Sequence, residues 1–112
     1  MDGVEAVNKL EELTIQVKAG VKRLQGYGVD LAQKDATYKQ ALADKILELK
    51  ETGMAVTILE KVANGCIPVN KYRRERDIAE VNFKACQEDL YNLRLQIRVL
   101  EAQIKMEWFS NE

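Results

Sequence analysis

AEVNFKACQEDLYNLRLQIRVLEAQI, residues 79–104, decides the fold. Its apolar residues Ala79, Phe83, Cys86, Leu90, Leu93, Ile97, Leu100 and Ile104 are spaced 4, 3, 4, 3, 4, 3, 4. That is an a/d heptad seam, the pattern of a helix that packs lengthwise on another helix. Trp108 continues it at the next step of four. The residues between, among them Glu88, Asp89, Arg94, Gln96, Arg98, Glu101, Gln103 and Lys105, belong to solvated faces. The spacing predicts one helix over about 69–110, with Pro68 in its first turn, where the missing N–H does no harm.

Upstream, a second helix is expected over about 3–51. Asp2 followed by Glu5 has capping-box spacing. Leu10, Leu13, Val17, Val21, Leu24, Tyr27, Leu31, Tyr38, Leu42, Ile46 and Leu49 recur mostly at threes, fours and sevens, which is helical periodicity. Gly20, Gly26 and Gly28 interrupt this face. Each costs about 1 kcal/mol against alanine in a helix interior, and the favoured expectation is a weak spot or kink rather than a close helix approach.

Gly53 suits a left-handed residue ending that helix. A connector over about 52–67 follows. Thr57 and Glu60 have capping-box spacing, so a short helix is expected from there to Gly65.

Two long helices joined by a short connector must fold back on each other, giving an all-α antiparallel helical hairpin as a single domain over 1–112. Aligned from the connector, Trp108 falls near Leu10 and Leu13, Leu90 to Ile97 face about Leu24 to Leu31, and the first residues overhang. One partner cannot cover an apolar stripe roughly 100° wide. Ile15, Val29, Ile78, Val81, Leu95 and Val99 are left half exposed, and self-association into a dimer or larger bundle is the expected remedy.

Composition narrows the functional classes. Lys and Arg number 17 against 18 Asp and Glu, a net charge of −1 without the basic excess of a dedicated nucleic-acid binder. The hydrophobic share of 46% is too large and too periodic for a disordered chain. No basic-then-apolar leader precedes residue 13, and no run approaches the ~18 apolar residues of a membrane span, so a cytoplasmic location is expected. Histidine is absent, which removes the commonest general base and metal ligand. With no C-x-x-C pair, phosphate loop or nucleophile motif, the expectation is a protein that is not an enzyme, with no cofactor, metal or catalytic residue. Cys66 and Cys86 are expected as thiols, Cys86 buried on the seam.

Two segments are candidate interaction sites. Lys71, Tyr72, Arg73, Arg74 and Arg76 form the one basic cluster containing an aromatic, suited to phosphates or an acidic partner. A solvated helix start, with Arg73 paired to Asp77 and Arg76 to Glu80, is its simpler reading. Trp108 and Phe109 either clamp the open end of the hairpin or anchor a partner.

Four fragments carry a family likeness. They are Tyr38-Lys39-x-Ala41, Ile46-Leu47-x-Leu49-Lys50-x-x-Gly53, Arg74-x-Arg76-Asp77-Ile78-Ala79-Glu80 and Leu100-Glu101-Ala102-Gln103-Ile104-x-x-Glu107-Trp108. Over about residues 30–109 the chain resembles short coiled-coil proteins of unknown function encoded by temperate tailed phages and prophages of Gram-positive bacteria. The resemblance implies a small phage accessory protein in the host cytoplasm and carries over no functional residue. The functional expectation is an oligomeric hairpin acting through contacts with phage or host proteins. The alternatives are a nucleic-acid-binding factor in phage replication or recombination, and an inhibitor of a host defence enzyme.

Overall fold

The computed structural model describes residues 2–110, with side chains as far as Trp108. Among the described residues the chain is all-α, with three helices: α1, Gly3–Glu51; α2, Val56–Gly65; and α3, Val69–Ser110, α1 and α3 packing as a helix pair. Asp2 caps α1, its carboxylate accepting from Glu5 N at 2.8 Å, as the capping spacing predicts. The glycines at 20–28 do not break α1, which runs uninterrupted to Glu51. It stops at a tight turn in which Gly53 takes φ +83°, the left-handed region open to glycine. Gly53 N and Thr52 N close the last turn on the carbonyls of Lys50 and Leu49, each at 3.1 Å.

α2 starts differently from the sequence reading. Its cap is Ala55, with extended backbone (φ −59°, ψ 133°) and no side-chain hydrogen bond, and Thr57 already lies inside the helix. A capping hydroxyl must sit on a non-helical residue that flanks the first turn. The left-handed turn at Gly53 brings the chain into helix too early for Thr57 to fill that role. The Ile67–Pro68 bond is cis, and the Pro68 carbonyl accepts from Lys71 N and Tyr72 N at 3.1 and 3.2 Å to open α3.

The contacts group into two compact units. Unit 2, residues 26–83, holds the second half of α1, all of α2 and the start of α3. Its buried side chains are Tyr38, Leu59, Ala63, Val69 and Ala79, with Val69 fully enclosed. α2 doubles back along α1, so that Asn64 near its end meets Tyr38 through a hydrogen bond from the phenol. Unit 1, residues 1–25 and 84–112, is a helix pair. Ala6, Leu13 and Leu100 are its buried cluster, with Leu10, Leu93, Ile97 and Ile104 packed against them.

The register corrects the sequence alignment. In unit 2 Phe83 lies on Gly28 and Arg76 meets Asp35. In unit 1 Leu90 lies on Gly20, and Leu100, not Trp108, shares a cluster with Leu13. Leu90 was expected opposite about Leu31, so the displacement is about three helical turns. The cause is α2. Its ten residues rise ~15 Å along α1 and occupy the stretch that a bare connector would leave to α3. The N-terminal overhang expected from the connector alignment disappears with it.

The close approaches also reverse the favoured reading of the glycines. A Cβ on Gly20 would stand 2.6 Å from Leu90 Cδ2, and one on Gly28 would stand 3.3 Å from Phe83 Cε2. Both glycines make room for a large seam residue of α3. Gly26 faces open space and answers to neither reading.

Candidate interaction surfaces

The basic cluster does not form one patch. Lys71, Arg73 and Arg74 are exposed, while Tyr72 and Arg76 are half-buried. At 100° per residue, Lys71 and Arg74 share one flank of α3 and Arg73 lies on another. Arg76 turns inward. Its guanidinium stands 4.6 Å from the centroid of the Tyr38 ring, 3.5 Å from Asp35 Oδ1 and 2.9 Å from Asp77 Oδ1. Burial works against its charge, but the hydrogen bonds to Asp77 and Asp35 outweigh it and raise the arginine further above its ordinary range. Asp35 is also held by Lys39 Nζ at 2.8 Å, and its carboxyl is lowered below the ordinary 3.8, chiefly by that bond and then by Arg76. Arg76 is thus a structural residue that fastens α3 to α1 in unit 2. Sequence spacing missed this role, because Asp35 and Tyr38 are some forty residues away in the chain.

Tyr72 and the adjacent Val69 and Pro68 line a different feature. Together with Ala36, Ala41 and the polar residues Thr37, Gln40, Asp44, Lys45 and Glu48, they wall an open groove of about 620 Å³ in unit 2. Its rim is internally satisfied: Gln40 donates to Asp44 at 2.9 Å and Lys45 pairs with Glu48 at 3.2 Å. Nothing in the sequence pattern pointed to this groove, since it depends on how far α1 runs beyond the start of α3.

Trp108 is 73% exposed, so it neither extends the buried seam nor clamps the helix pair. Phe109 lies outside the described side chains. Along the inner seam, Ala79, Cys86, Leu90 and Leu100 are buried, and Phe83, Leu93, Ile97 and Ile104 half-buried. Cys86 Sγ lies 3.7 Å from the Gly20 carbonyl, and Cys66 Sγ donates to the Val62 carbonyl at 3.3 Å. Both cysteines are unbonded thiols.

The remaining surface is apolar where a solvated helix would be polar. Ile15, Val29, Ile78, Val81, Leu95 and Val99 are all exposed. In unit 1 the outer side of α3 carries Leu95, Val99, Ala102 and Met106, spaced 4, 3, 4, all exposed. This is a second seam, on the side turned away from α1. Between the two helices an open groove of about 330 Å³ is lined by Lys9 and Leu13 of α1 and by Leu95, Gln96, Val99, Leu100 and Gln103 of α3.

Comparison with known proteins identifies no relative: no family model, no curated protein and no solved structure matches this chain. Among the described residues no helix is long and apolar enough to cross a membrane. The functional reading therefore rests on the surfaces themselves.

Proposed function

We propose that this protein is a non-enzymatic interaction protein whose helical hairpin assembles with further copies and presents the assembly to another protein. The observation that carries the reading is the outer seam of α3. Leu95, Val99 and Met106 are 44%, 51% and 72% exposed at coiled-coil spacing. Single apolar residues on a surface are ordinary, but a row of them is a packing face without its partner. The buried inner seam uses the same spacing against α1, so the outer one suits a further helix.

The likeness to small proteins of temperate phages supports a phage or prophage accessory role in the host cytoplasm. That part of the proposal rests on the sequence fragments alone. A nucleic-acid role gains nothing from the geometry, since Arg76 is engaged and the exposed cations diverge.

Light scattering on the purified chain across a concentration series tests the assembly. A mass of two or more chains that grows with concentration is expected. A fully helical, monodisperse monomer at the highest concentration overturns it.

A further inference from the structure

The outer seam of α3 has a match on this same chain. In unit 1, read from Met106 toward the N-terminus, the outer positions are Met106, Ala102, Val99, Leu95, Asn92 and Glu88, spaced 4, 3, 4, 3, 4. The outer side of α1, read from its start, is Val4, Asn8, Glu11, Ile15, Lys18 and Lys22, also spaced 4, 3, 4, 3, 4. All twelve side chains are exposed. We propose that the outer face of α3 docks antiparallel on the outer face of α1 of a second copy, with Ile15 against Leu95 and Val4 against Met106. This rests on the assembly reading above and names the surface and the partner.

The match goes beyond the two apolar pairs. With Ile15 opposite Leu95, Glu11 comes beside Val99 and its neighbour Arg98, and Lys22 comes opposite Glu88. Each is a pair of opposite charges, Lys22 with Glu88 within the two rows and Glu11 with Arg98 at the flank of the α3 row, and such pairs fix register and partner in paired helices. The local charges agree with it. Between the two apolar pairs, residues 4–15 contain Glu5, Glu11 and Glu12 against Lys9 alone, whereas residues 95–106 contain Arg98 and Lys105 against Glu101 alone; farther along, Lys18 and Lys22 on α1 run beside Glu88 and Asp89 on α3, reversing the sign on both sides.

Pairing the α3 seam with itself fits worse. An antiparallel alignment that sets Leu95 on Met106 also sets Arg98 beside Lys105, like charge on like. The stripe is two residues per heptad wide, the width of a helix–helix seam and narrower than the apolar face of a helix lying in a lipid surface.

The interface is heterologous, because each copy offers one face of each kind. Such contacts continue from copy to copy until a ring closes, so the assembly is not limited to a dimer. This property gives a decisive test by sedimentation velocity of the full chain. The double variant Leu95→Asp/Val99→Asp loses the α3 face and keeps the α1 face, and Ile15→Asp does the reverse. All three side chains are exposed, so helicity by circular dichroism stays at the wild-type level. Each variant alone is expected to be monomeric where the wild type assembles, and the two mixed are expected to form a one-to-one dimer and nothing larger. As a milder pair, Glu11→Arg weakens assembly by about tenfold, and adding Arg98→Glu restores it.

Variants that assemble like the wild type, or a mixture that stays monomeric, overturn this interface while leaving self-association intact. A wild type that stays monomeric throughout overturns both.

Discussion

Leu90 occupies the space that a side chain on Gly20 would need: a Cβ there would lie 2.6 Å from Leu90 Cδ2 and 3.2 Å from Cγ. Leu90 is 2% exposed, so it has little room to retreat. The helix pair of unit 1 therefore gives Gly20 a structural reason, whereas Gly26, with nothing within 4 Å, has none.

Alanine substitutions separate the two cases. Gly26→Ala gains helix propensity at no steric cost and should stabilise the chain by about 1 kcal/mol. Gly20→Ala gains the same propensity but pushes a buried leucine off its rotamer, at a cost of ~1–3 kcal/mol. The net effect expected is destabilisation by up to about 2 kcal/mol. At Gly28 the neighbour is the half-buried Phe83 ring at 3.3 Å, which can give by a few tenths of an ångström, and the change should be close to neutral. Urea unfolding of the three variants checks the order. Equal stabilisation by all three would contradict the close approach.

The inner seam of α3 was legible because a 3, 4 repeat fixes which face of a helix is buried. It cannot fix where along the axis the partner lies. The true register depends on α2, a ten-residue helix whose docking along α1 is a tertiary fact. A signal was nevertheless present: Gly20 and Gly28, eight residues apart, are the residues able to admit Leu90 and Phe83, two large seam residues seven apart on α3. Pairing small with large would have recovered the register. The inward turn of Arg76 was hidden for a related reason. Local spacing put its charge on a solvated face, while its partners Asp35 and Tyr38 belong to α1.

Arg76→Ala removes the contact with the Tyr38 ring and the ion pairs with Asp35 and Asp77 together. The ring contact is worth about 0.5–1 kcal/mol and partly exposed pairs up to about 1 kcal/mol each. A loss of roughly 1–2 kcal/mol is expected. Arg76→Lys should recover only part, because a single ammonium cannot lie flat on the ring while also bridging two carboxylates. A lysine variant as stable as the wild type would reduce Arg76 to a simple charge.

Asp35 makes the same contact sensitive to acid. Its folded carboxyl is lowered below the ordinary 3.8, first by the hydrogen bond from Lys39 and then by Arg76. A lowered carboxylate adds stability that is fully present above its unfolded value and disappears as pH falls through the folded one. Asp35→Asn should therefore melt below the wild type at neutral pH, with the gap closing as pH drops below about 4. Thermal melts of both proteins along a pH series measure it. A gap that persists unchanged into strong acid would mean that Asp35 acts by packing rather than by charge.

Neighbouring turns of α3 should answer to opposite measurements. Leu100 is 7% exposed in the cluster with Ala6 and Leu13, whereas Leu95 is 44% exposed on the outer seam. Leu100→Ala empties a buried site and should cost about 2–4 kcal/mol of stability. Leu95→Ala removes a side chain already half in water and should cost well under 1 kcal/mol when measured on dilute protein. Its effect belongs to the concentrated protein, where it should weaken assembly while Leu100→Ala acts through folding. Denaturant unfolding at low concentration, set beside sedimentation at high concentration, separates the two seams. If Leu95→Ala destabilised dilute protein as much as Leu100→Ala, the outer seam would already be covered within one chain and would have no partner left to bind.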